Sequence, residues 1–248
     1  MKNISIVIPF RADSWEREAN LHCVLHFLLQ LDHVYIDILE ADVKRHFFFS
    51  PNNHIRYRFI YDESPVFHRT KYLNILLKDA QYSIVGVWDT DILAPESQLN
   101  QAISHIQEGY VMCFPYGGDC RFLNESESDI IRKNTCFPHP MQGVKEVNRP
   151  SVGGAFLVNR DLYLAAGGEN ESFYGWGPED VERVKRMEIL EFPITRVKGS
   201  IYHLFHKRIP DKGIDNMKKR MYNIKVLLQT CRMNKQELRD YIDKYMLQ

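Results

Sequence analysis

The chain has 248 residues, of which 44% are hydrophobic and 26% are charged, a composition typical of an ordinary globular protein. Its 32 basic residues balance its 32 acidic residues. This balance argues against nucleic-acid binding, which depends on a surplus of Lys and Arg facing phosphates. The five cysteines form no CxxC pair, which predicts reduced thiols rather than a disulfide framework or a zinc knuckle.

The N-terminal region carries neither a charged leader nor an apolar signal core before the strand-like run at 4–9. No stretch approaches the roughly 20 apolar residues that a membrane-spanning helix needs, so no integral membrane segment is expected. We therefore expect a cytoplasmic protein, either free or at the inner face of the membrane. Loss of an anchor that preceded this sequence is the alternative, and it stays open.

Strand-like and helix-like runs alternate through the first half of the chain. Strands are predicted at 4–9, 34–39, 55–61 and 82–88, and helices at 13–30 and 70–80. In the second half we predict a strand at 152–158, a helix from the turn at 175–180 to near Leu190, and tail helices at 214–230 and 235–245. The alternation indicates an α/β fold with a mainly parallel twisted sheet flanked by helices, followed by a helical C-terminal tail.

Ligands of parallel sheets bind beyond the carboxyl ends of the strands, which points to the segments 9–11 and 89–91. Asp89 and Asp91 stand at i and i+2 on an extended chain, so their carboxylates point to the same side. A cation relieves the repulsion between such carboxylates. A Mg²⁺ or Mn²⁺ ion bridging to a diphosphate would suit these oxygen ligands. A solvated turn after the strand is the alternative.

His203 and His206 supply two imidazoles three residues apart, and a turn or a helical twist would let both face one ion. Ordinary surface or core histidines are the alternative. Zinc is the rival metal, but a set of Asp and His without cysteine suits Mn²⁺ about as well.

The segment 175–180, Gly-Trp-Gly-Pro-Glu-Asp, predicts a turn that opens into a helix. Pro178 suits the first helical position, and Glu179 and Asp180 then lie in the first turn, where the helix dipole favours negative charge. Trp176, flanked by glycines, has the open flat ring of a sugar-stacking platform. An acid beside it could take a proton from a sugar hydroxyl. Plain helix capping explains the same acids.

Phe67, Arg69 and Lys71 place an aromatic ring and two cations just before or at a helix start. This pattern suits a nucleotide diphosphate, with the ring against the base and Arg on phosphate. An ordinary solvated helix start is the alternative.

Taken in order, these segments resemble the β-1,4-galactosyltransferase family, a GT-A-fold group that includes related N-acetylgalactosaminyltransferases. The resemblance spans residues 4–207. The matching segments are Ile8–Arg11, Phe67–Asn74, Trp88–Pro95, the block from Val152 through Asp180, and His203–His206.

The resemblance implies a single GT-A-like catalytic domain. Residues 1–115 would form its nucleotide-binding half, residues 116–207 its acceptor and catalytic half, and residues 208–248 the helical tail. It implies that uridine and diphosphate are held by five residues: Pro9, Phe10, Arg11, Phe67 and Arg69. Asp89 would contact the nucleotide sugar or the surroundings of the metal.

The same resemblance implies that Asp91, His203 and His206 bind Mn²⁺, with Mg²⁺ as an option. Four residues would contact the substrate sugars: Trp176, Glu179, Gly154 and Ser151. Asp180 would be the catalytic base of an inverting transfer of galactose or N-acetylgalactosamine from UDP-Gal or UDP-GalNAc to a glycan acceptor.

Three departures from the family pattern matter. The family commonly has methionine at the position of His203, and the harder imidazole should broaden tolerance toward Mg²⁺. Pro178 replaces a residue that is usually glycine and removes one backbone N–H. Ser151 stands where galactose-specific members carry a tyrosine, so there is space for an N-acetyl group. Three other functions stay open: a retaining UDP-GalNAc transferase, a non-catalytic sugar- or nucleotide-binding module, and a metallohydrolase.

Overall fold

The structure is a computed structural model that describes residues 2–138, 142–145, 150–175, 177–207 and 214–246. For residues 214–216 the description covers the backbone alone. Within these ranges every helix is too short or too polar to span a lipid bilayer.

Seven strands form the larger sheet: β1 (Ile4–Phe10), β2 (Val34–Asp42), β3 (Ile55–Tyr61), β4 (Ile84–Trp88), β6 (Met112–Phe114), β9 (Ala155–Asn159) and β10 (Ile194–Arg196). Their order across the sheet is β10-β6-β9-β4-β1-β2-β3. Every neighbouring pair is parallel except those of β9, which runs antiparallel to both β4 and β6. The predicted mainly parallel sheet is confirmed.

Four short strands form a second sheet, in the order β5 (Ile92–Leu93), β11 (Ser200–His203), β7 (Asp119–Phe122) and β8 (Val144–Lys145). β11 is parallel to β7 and antiparallel to β5, and its register pairs His203 with Ile92. A residue from the far end of the chain is therefore held next to the segment that follows β4.

Eight helices accompany the sheets in the described ranges: α1 (Trp15–Leu28), α2 (Arg69–Asp79), α3 (Glu96–Gln107), α4 (Glu125–Asn134), α5 (Arg160–Ala165), α6 (Glu179–Ile189), α7 (Ile214–Arg232) and α8 (Lys235–Tyr245). α2 packs on β1 and β2, α3 packs on β6 and β9, and α7 and α8 both pack on α6. The predicted helical tail is confirmed, and it lies against the helix that begins at Glu179.

The mainly apolar composition of the central strands β1 and β4 reflects their burial. Every residue of β1 and of β4 is buried, as expected for parallel strands covered on both faces. Such strands consist of apolar and β-branched residues, which favour the extended backbone. Because β1 and β4 are adjacent and parallel, the residues that follow them emerge at the same edge of the sheet.

The structure differs from the sequence prediction in several places. The prediction omitted α3, although its buried apolar residues are at helical spacing. It also omitted β5, β6, β10 and β11, which are too short for a periodic signal. β9 begins at Ala155 rather than residue 152, because Gly154 has φ of 85°, in the left-handed region. Pro178 is the N-cap of α6 rather than its first helical residue. The described part of 117–150, for which no element was predicted, contains β7, α4 and β8.

Candidate active site and metal centre

Asp91, His203 and His206 converge beyond the carboxyl end of β4. Asp91 is only 2% exposed. One of its carboxylate oxygens lies 3.6 Å from Nε2 of His203, and the other lies 3.4 Å from Nε2 of His206. One ligand atom from each of the three residues falls within 4.8 Å of the others. The structure thus brings together three side chains that span more than a hundred positions of sequence.

The second sheet produces this convergence. The pairing of β11 with β5 places His203 opposite Ile92, the residue after Asp91. The backbone N–H of Leu204 then donates to the carbonyl oxygen of Asp91 at 2.8 Å. The chain turns after β11, so His206 returns to the same carboxylate. The two imidazoles therefore approach from the end of a strand and from the loop after it.

Arg17, on the first turn of α1, contacts the same cluster and was missed by the sequence analysis. Its Nη1 lies 3.2 Å from Asp91 Oδ2, and its Nη2 lies 3.4 Å from both ring nitrogens of His206. Its Nε donates to Asp13 at 2.8 Å. A permanent positive charge thus sits against the buried carboxylate.

The electrostatics of this cluster favour an ionised Asp91 and a neutral His206. Burial by itself would raise the pKa of Asp91, but His203, Arg17 and His206 together hold it below its ordinary value. Burial and the neighbouring Arg17 lower the pKa of His206. A low carboxylate pKa and a neutral imidazole are the protonation states that metal ligands require.

The donor set fits a divalent cation. Ligand atoms at about 2.1 Å from an octahedral ion lie about 3 Å apart when adjacent, close to the 3.4 and 3.6 Å separations of Asp91 from the two imidazoles. One carboxylate and two imidazoles suit Mn²⁺ and Zn²⁺ about equally, whereas Mg²⁺ prefers oxygen ligands to imidazole. A bound ion would require the Arg17 guanidinium to move away from Asp91.

Asp89 and Arg69 connect this cluster to the N-terminus of α6. Arg69 Nη2 donates to Asp89 Oδ1 at 2.5 Å, and the Asp89 N–H donates to the carbonyl of Gly154 at 2.9 Å. Burial raises the pKa of Asp89, against the opposing effect of Arg69, and both Asp91 and Asp180 raise it further. The pKa of Arg69 is raised by Asp89 and Asp180, despite its burial.

A second cluster forms beyond β1. Arg11 Nε donates to Ala41 O at 2.7 Å, its guanidinium pairs with Asp62, and its Cζ lies 5.2 Å from the centre of the Phe67 ring. The Phe67 ring stacks on Tyr72 with centroids 5.3 Å apart. Arg11 and Phe67 were predicted from the sequence. Asp62 and Tyr72 were not, and the fold brings them into contact with these two residues.

Pro9 and Phe10 lie at the end of the buried strand rather than on this surface. Both side chains are buried, and the Phe10 ring packs against Phe47 with centroids 6.2 Å apart. Of the predicted nucleotide-binding residues, these two therefore offer a ligand their backbone alone.

Asp180 is held by a buried arginine. Arg183 Nη1 donates to Asp180 Oδ1 at 2.7 Å, while its Nε and Nη2 donate to Glu169 at 2.9 and 2.8 Å. Arg183 and Glu169 are almost fully buried, whereas the Asp180 side chain is 31% exposed. The paired guanidinium fixes one oxygen of Asp180 and leaves the other, Oδ2, without a bond to Arg183.

The backbone before β9 makes room for that second oxygen. A Cβ atom built on Gly153 would lie 2.6 Å from Asp180 Oδ2, so only glycine permits this approach. The Tyr116 hydroxyl donates to the carbonyl of Gly153 at 2.6 Å, and the N–H of Ser151 donates to the carbonyl of Gly118 at 2.9 Å. Ser151 and Gly153 therefore stand on an anchored segment beside Asp180.

Solved structures identify the fold. The chain is similar to a Drosophila β-1,4-galactosyltransferase 7 mutant in complex with manganese, UDP-Gal and xylobiose, with a TM-score of 0.55 and 18% identity over 90% of this chain and 79% of that chain. It is also similar to GalNAc-T7 solved with UDP, GalNAc and Mn²⁺, with a TM-score of 0.60 and 12% identity over 98% of this chain and 50% of that chain. The chain has the GT-A fold.

A family model agrees with the GT-A assignment. Residues 142–207 match the model described as the N-terminal domain of galactosyltransferase, a segment that includes Asp180, His203 and His206. No curated protein sequence matches the chain. The resemblance to the β-1,4-galactosyltransferase family is confirmed: the family model matches residues 142–207, and the solved structures share the fold of the chain.

Trp176 and Glu179 are the remaining predicted site residues. Trp176, the expected sugar platform, lies outside the described residues. Glu179 lies beside Asp180, and its Oε2 is buried without a hydrogen-bond partner among the described residues. Burial, reinforced by the charge of Asp180, raises the pKa of Glu179 from 4.5 to about 8. Glu179 is therefore mostly protonated at neutral pH and offers a hydroxyl donor to a ligand.

Glu179→Gln is expected to change how stability depends on pH. Because the folded-state pKa lies above the unfolded value, the folded protein keeps a proton that the unfolded chain releases, and the free energy of unfolding falls as pH rises from about 5 to about 8. The variant should lack this decline and gain roughly 1–3 kcal/mol relative to the parent between these pH values. Urea unfolding at both pH values measures it.

Glu188→Gln is the matched control, because Glu188 lies on the same helix with its side chain 53% exposed. It should keep the parent's pH dependence. If Glu179→Gln also follows the parent curve at both pH values, the raised pKa of Glu179 is refuted.

Proposed function

We propose that this chain is a metal-dependent, inverting glycosyltransferase that transfers galactose or N-acetylgalactosamine from a UDP-sugar to a hydroxyl of a sugar acceptor. The observation that carries this proposal is the convergence of Asp91, His203 and His206 beside the partly exposed Asp89–Arg69 ion pair, both members of which interact electrostatically with Asp180. Placed in a GT-A fold, this arrangement provides a cation site, a phosphate-binding arginine and a carboxylate base in one continuous region.

The donor nucleotide is assigned to the cluster beyond β1. The Phe67 ring, supported by Tyr72, offers a face for the uracil base, and Arg11 and Asp62 offer a hydrogen-bond donor and acceptors to its edge. Arg69 is placed to bind the diphosphate. UDP is the nucleotide in the similar solved structures of both β-1,4-galactosyltransferase 7 and GalNAc-T7.

The metal is assigned to Asp91, His203 and His206, with Mn²⁺ as the first choice because it accompanies both similar structures. A bound cation would neutralise the negative charge that develops on the departing UDP. Arg17, displaced from Asp91, would remain near the same diphosphate as a second positive charge.

Asp180 is assigned as the catalytic base. Its free oxygen accepts the proton of the acceptor hydroxyl while that hydroxyl oxygen attacks the anomeric carbon from the face opposite UDP. The new glycosidic bond forms as the bond to UDP breaks, so an α-linked donor gives a β-linked product. Glu179, protonated, donates to a sugar hydroxyl, and Arg183 keeps Asp180 oriented. Most of the rate must come from positioning and charge stabilisation.

A retaining transfer is the second candidate, and the similarity to GalNAc-T7 is the observation that favours it. The Asp180–Arg183 pair argues against it, because a carboxylate that is held in place by one oxygen and keeps the other for the acceptor proton is what a single displacement needs. The anomeric configuration of the product, measured by NMR, separates the two mechanisms. A binding module without turnover would give no metal-dependent hydrolysis of UDP-sugars.

Donor choice is expected to depend on Ser151. A screen of UDP-sugars with simple acceptors, with and without Mn²⁺, should show turnover of UDP-Gal and detectable turnover of UDP-GalNAc. Ser151→Tyr fills the space beside Gly153, so it should lower kcat/KM for UDP-GalNAc by about tenfold or more while sparing UDP-Gal, since steric exclusion of a small group is worth 1–3 kcal/mol.

Ser151→Ala is the matched control, because it keeps the space open and should preserve the ratio of the two donors. Complete rejection of UDP-GalNAc by a parent protein that turns over UDP-Gal would contradict the proposed donor range. An equal loss of both donors in Ser151→Tyr would show that the residue does not select the N-acetyl group.

A further inference from the structure

One face of helix α7 packs against α6, which begins at Glu179. Asn223, Val226 and Thr230 are buried, and the Thr230 hydroxyl donates to Glu182 Oε1 of α6 at 3.1 Å. Asn223 Nδ2 donates to the carbonyl of Tyr174 at 3.3 Å, in the turn that leads to Asp180. This face explains why α7 is attached to the GT-A core.

The opposite face of α7 is apolar as well, yet exposed. Met217, Met221, Ile224 and Leu228 are 71%, 53%, 43% and 45% exposed. Their spacing of four, three and four residues puts them in one row along the helix. Scattered apolar side chains are normal on surfaces, but a continuous row of this kind marks an interaction site.

The charges of α7 indicate what binds this row. From Met217 to Arg232 the helix has five basic residues and no acidic residue, although the whole chain is neutral. Lys218 and Lys225 are exposed and follow Met217 and Ile224 directly, so they flank the apolar row along one side. A helix with an apolar stripe and basic flanks is the pattern of a helix that lies in an anionic membrane interface.

We propose that the exposed row of α7 docks this protein on an anionic lipid surface. The four apolar side chains would enter the boundary between headgroups and acyl chains, while Lys218 and Lys225 would extend their amines to lipid phosphates. A second copy of the chain fits this row less well, because face-to-face pairing would bring lysines of both copies together. The proposal is independent of the chemistry assigned to the active site.

Docking through α7 would place the transfer site close to the bilayer. The helix contacts the turn before Asp180 through Asn223, and a Cβ atom on Gly177 would lie 2.6 Å from Asn223 Nδ2. The turn before Asp180 and the proposed lipid-binding row therefore lie against opposite faces of α7.

Co-sedimentation of the full chain with vesicles tests the proposal. Binding is expected to vesicles that contain about 30 mol% phosphatidylglycerol, to be weak on pure phosphatidylcholine, and to fall with added salt. The double variant Met221→Asp with Ile224→Asp should reduce binding to the anionic vesicles by about tenfold or more. Its circular dichroism and its transfer to a soluble acceptor should equal those of the parent.

Phe48→Asp is the matched control, because Phe48 is 69% exposed but lies outside α7; it should bind vesicles like the parent. Lys218→Glu with Lys225→Glu should lose binding to anionic vesicles while keeping the apolar row. The proposal is overturned if the parent does not sediment with anionic vesicles, or if the row variants bind them as well as the parent does. It is also overturned if the row instead mediates concentration-dependent dimers in the absence of lipid.

Discussion

Asp180→Asn is expected to lower kcat for sugar transfer by about 10³-fold, within the range that loss of a general base produces. The amide keeps the size of the side chain, but it cannot accept the acceptor proton. Binding of the UDP-sugar should change little, because the contacts assigned to the nucleotide lie on other residues. Steady-state kinetics with a simple acceptor measure the loss, and calorimetry with UDP checks that the donor site is intact.

Two controls distinguish this loss from a structural effect. Glu188→Gln removes a carboxylate from the same helix without touching Arg183, and it should retain parental kcat. Thermal unfolding of Asp180→Asn shows whether the Arg183–Glu169 pair survives the loss of its third partner. If Asp180→Asn keeps more than a tenth of the parental kcat, Asp180 is not the base.

Asp91→Asn is expected to weaken Mn²⁺ binding by about 100-fold or more and to abolish metal-dependent turnover. Changes to groups that merely support a metal ligand cost 10–100-fold, and among the described residues Asp91 is the one carboxylate that both imidazoles and Arg17 contact. Electron paramagnetic resonance of free Mn²⁺ measures the affinity directly, without reference to activity.

A substitution at Arg17 is expected to change Mn²⁺ affinity in the opposite direction. Arg17→Met removes a cation that lies 3.2 Å from the Asp91 carboxylate, so it should tighten Mn²⁺ binding several-fold while lowering the stability of the metal-free protein. Asp161→Asn, at a side chain that is 69% exposed, should leave Mn²⁺ affinity unchanged. If Asp91→Asn binds Mn²⁺ with the affinity of the parent, the proposed metal centre is refuted.

The candidate site residues could be predicted from the sequence where they directly follow a strand with a clear apolar pattern. The apolar run that ends at Trp88 placed Asp89 and Asp91 at the carboxyl edge of the sheet, and the Gly-Trp-Gly-Pro-Glu-Asp segment placed Asp180 at a helix start. The predicted helix at 235–245 coincides with α8, which begins after a capping box formed by Asn234 and Glu237.

Other parts of the site depend on tertiary contacts that no local pattern contains. In the sequence, Arg17 looks like an ordinary surface charge on an amphipathic helix. Its contacts with Asp91 and His206 form only in the folded chain, where His206 lies next to Asp91. Arg183 and Glu169 are buried charges, which are rare unless paired, and their pairing appears only when α6 packs against the turn after α5. Short strands such as β11 carry too few residues for a periodic signal.

Anomalous diffraction can locate the bound metal relative to UDP. Crystals grown with Mn²⁺ and UDP can be measured at the manganese absorption edge, where an anomalous difference map locates the ion. We expect one strong peak bonded to Asp91, His203 and His206 and bridging to a diphosphate that extends toward Arg69. A peak bonded to other residues, or UDP bound away from these four side chains, would contradict the account.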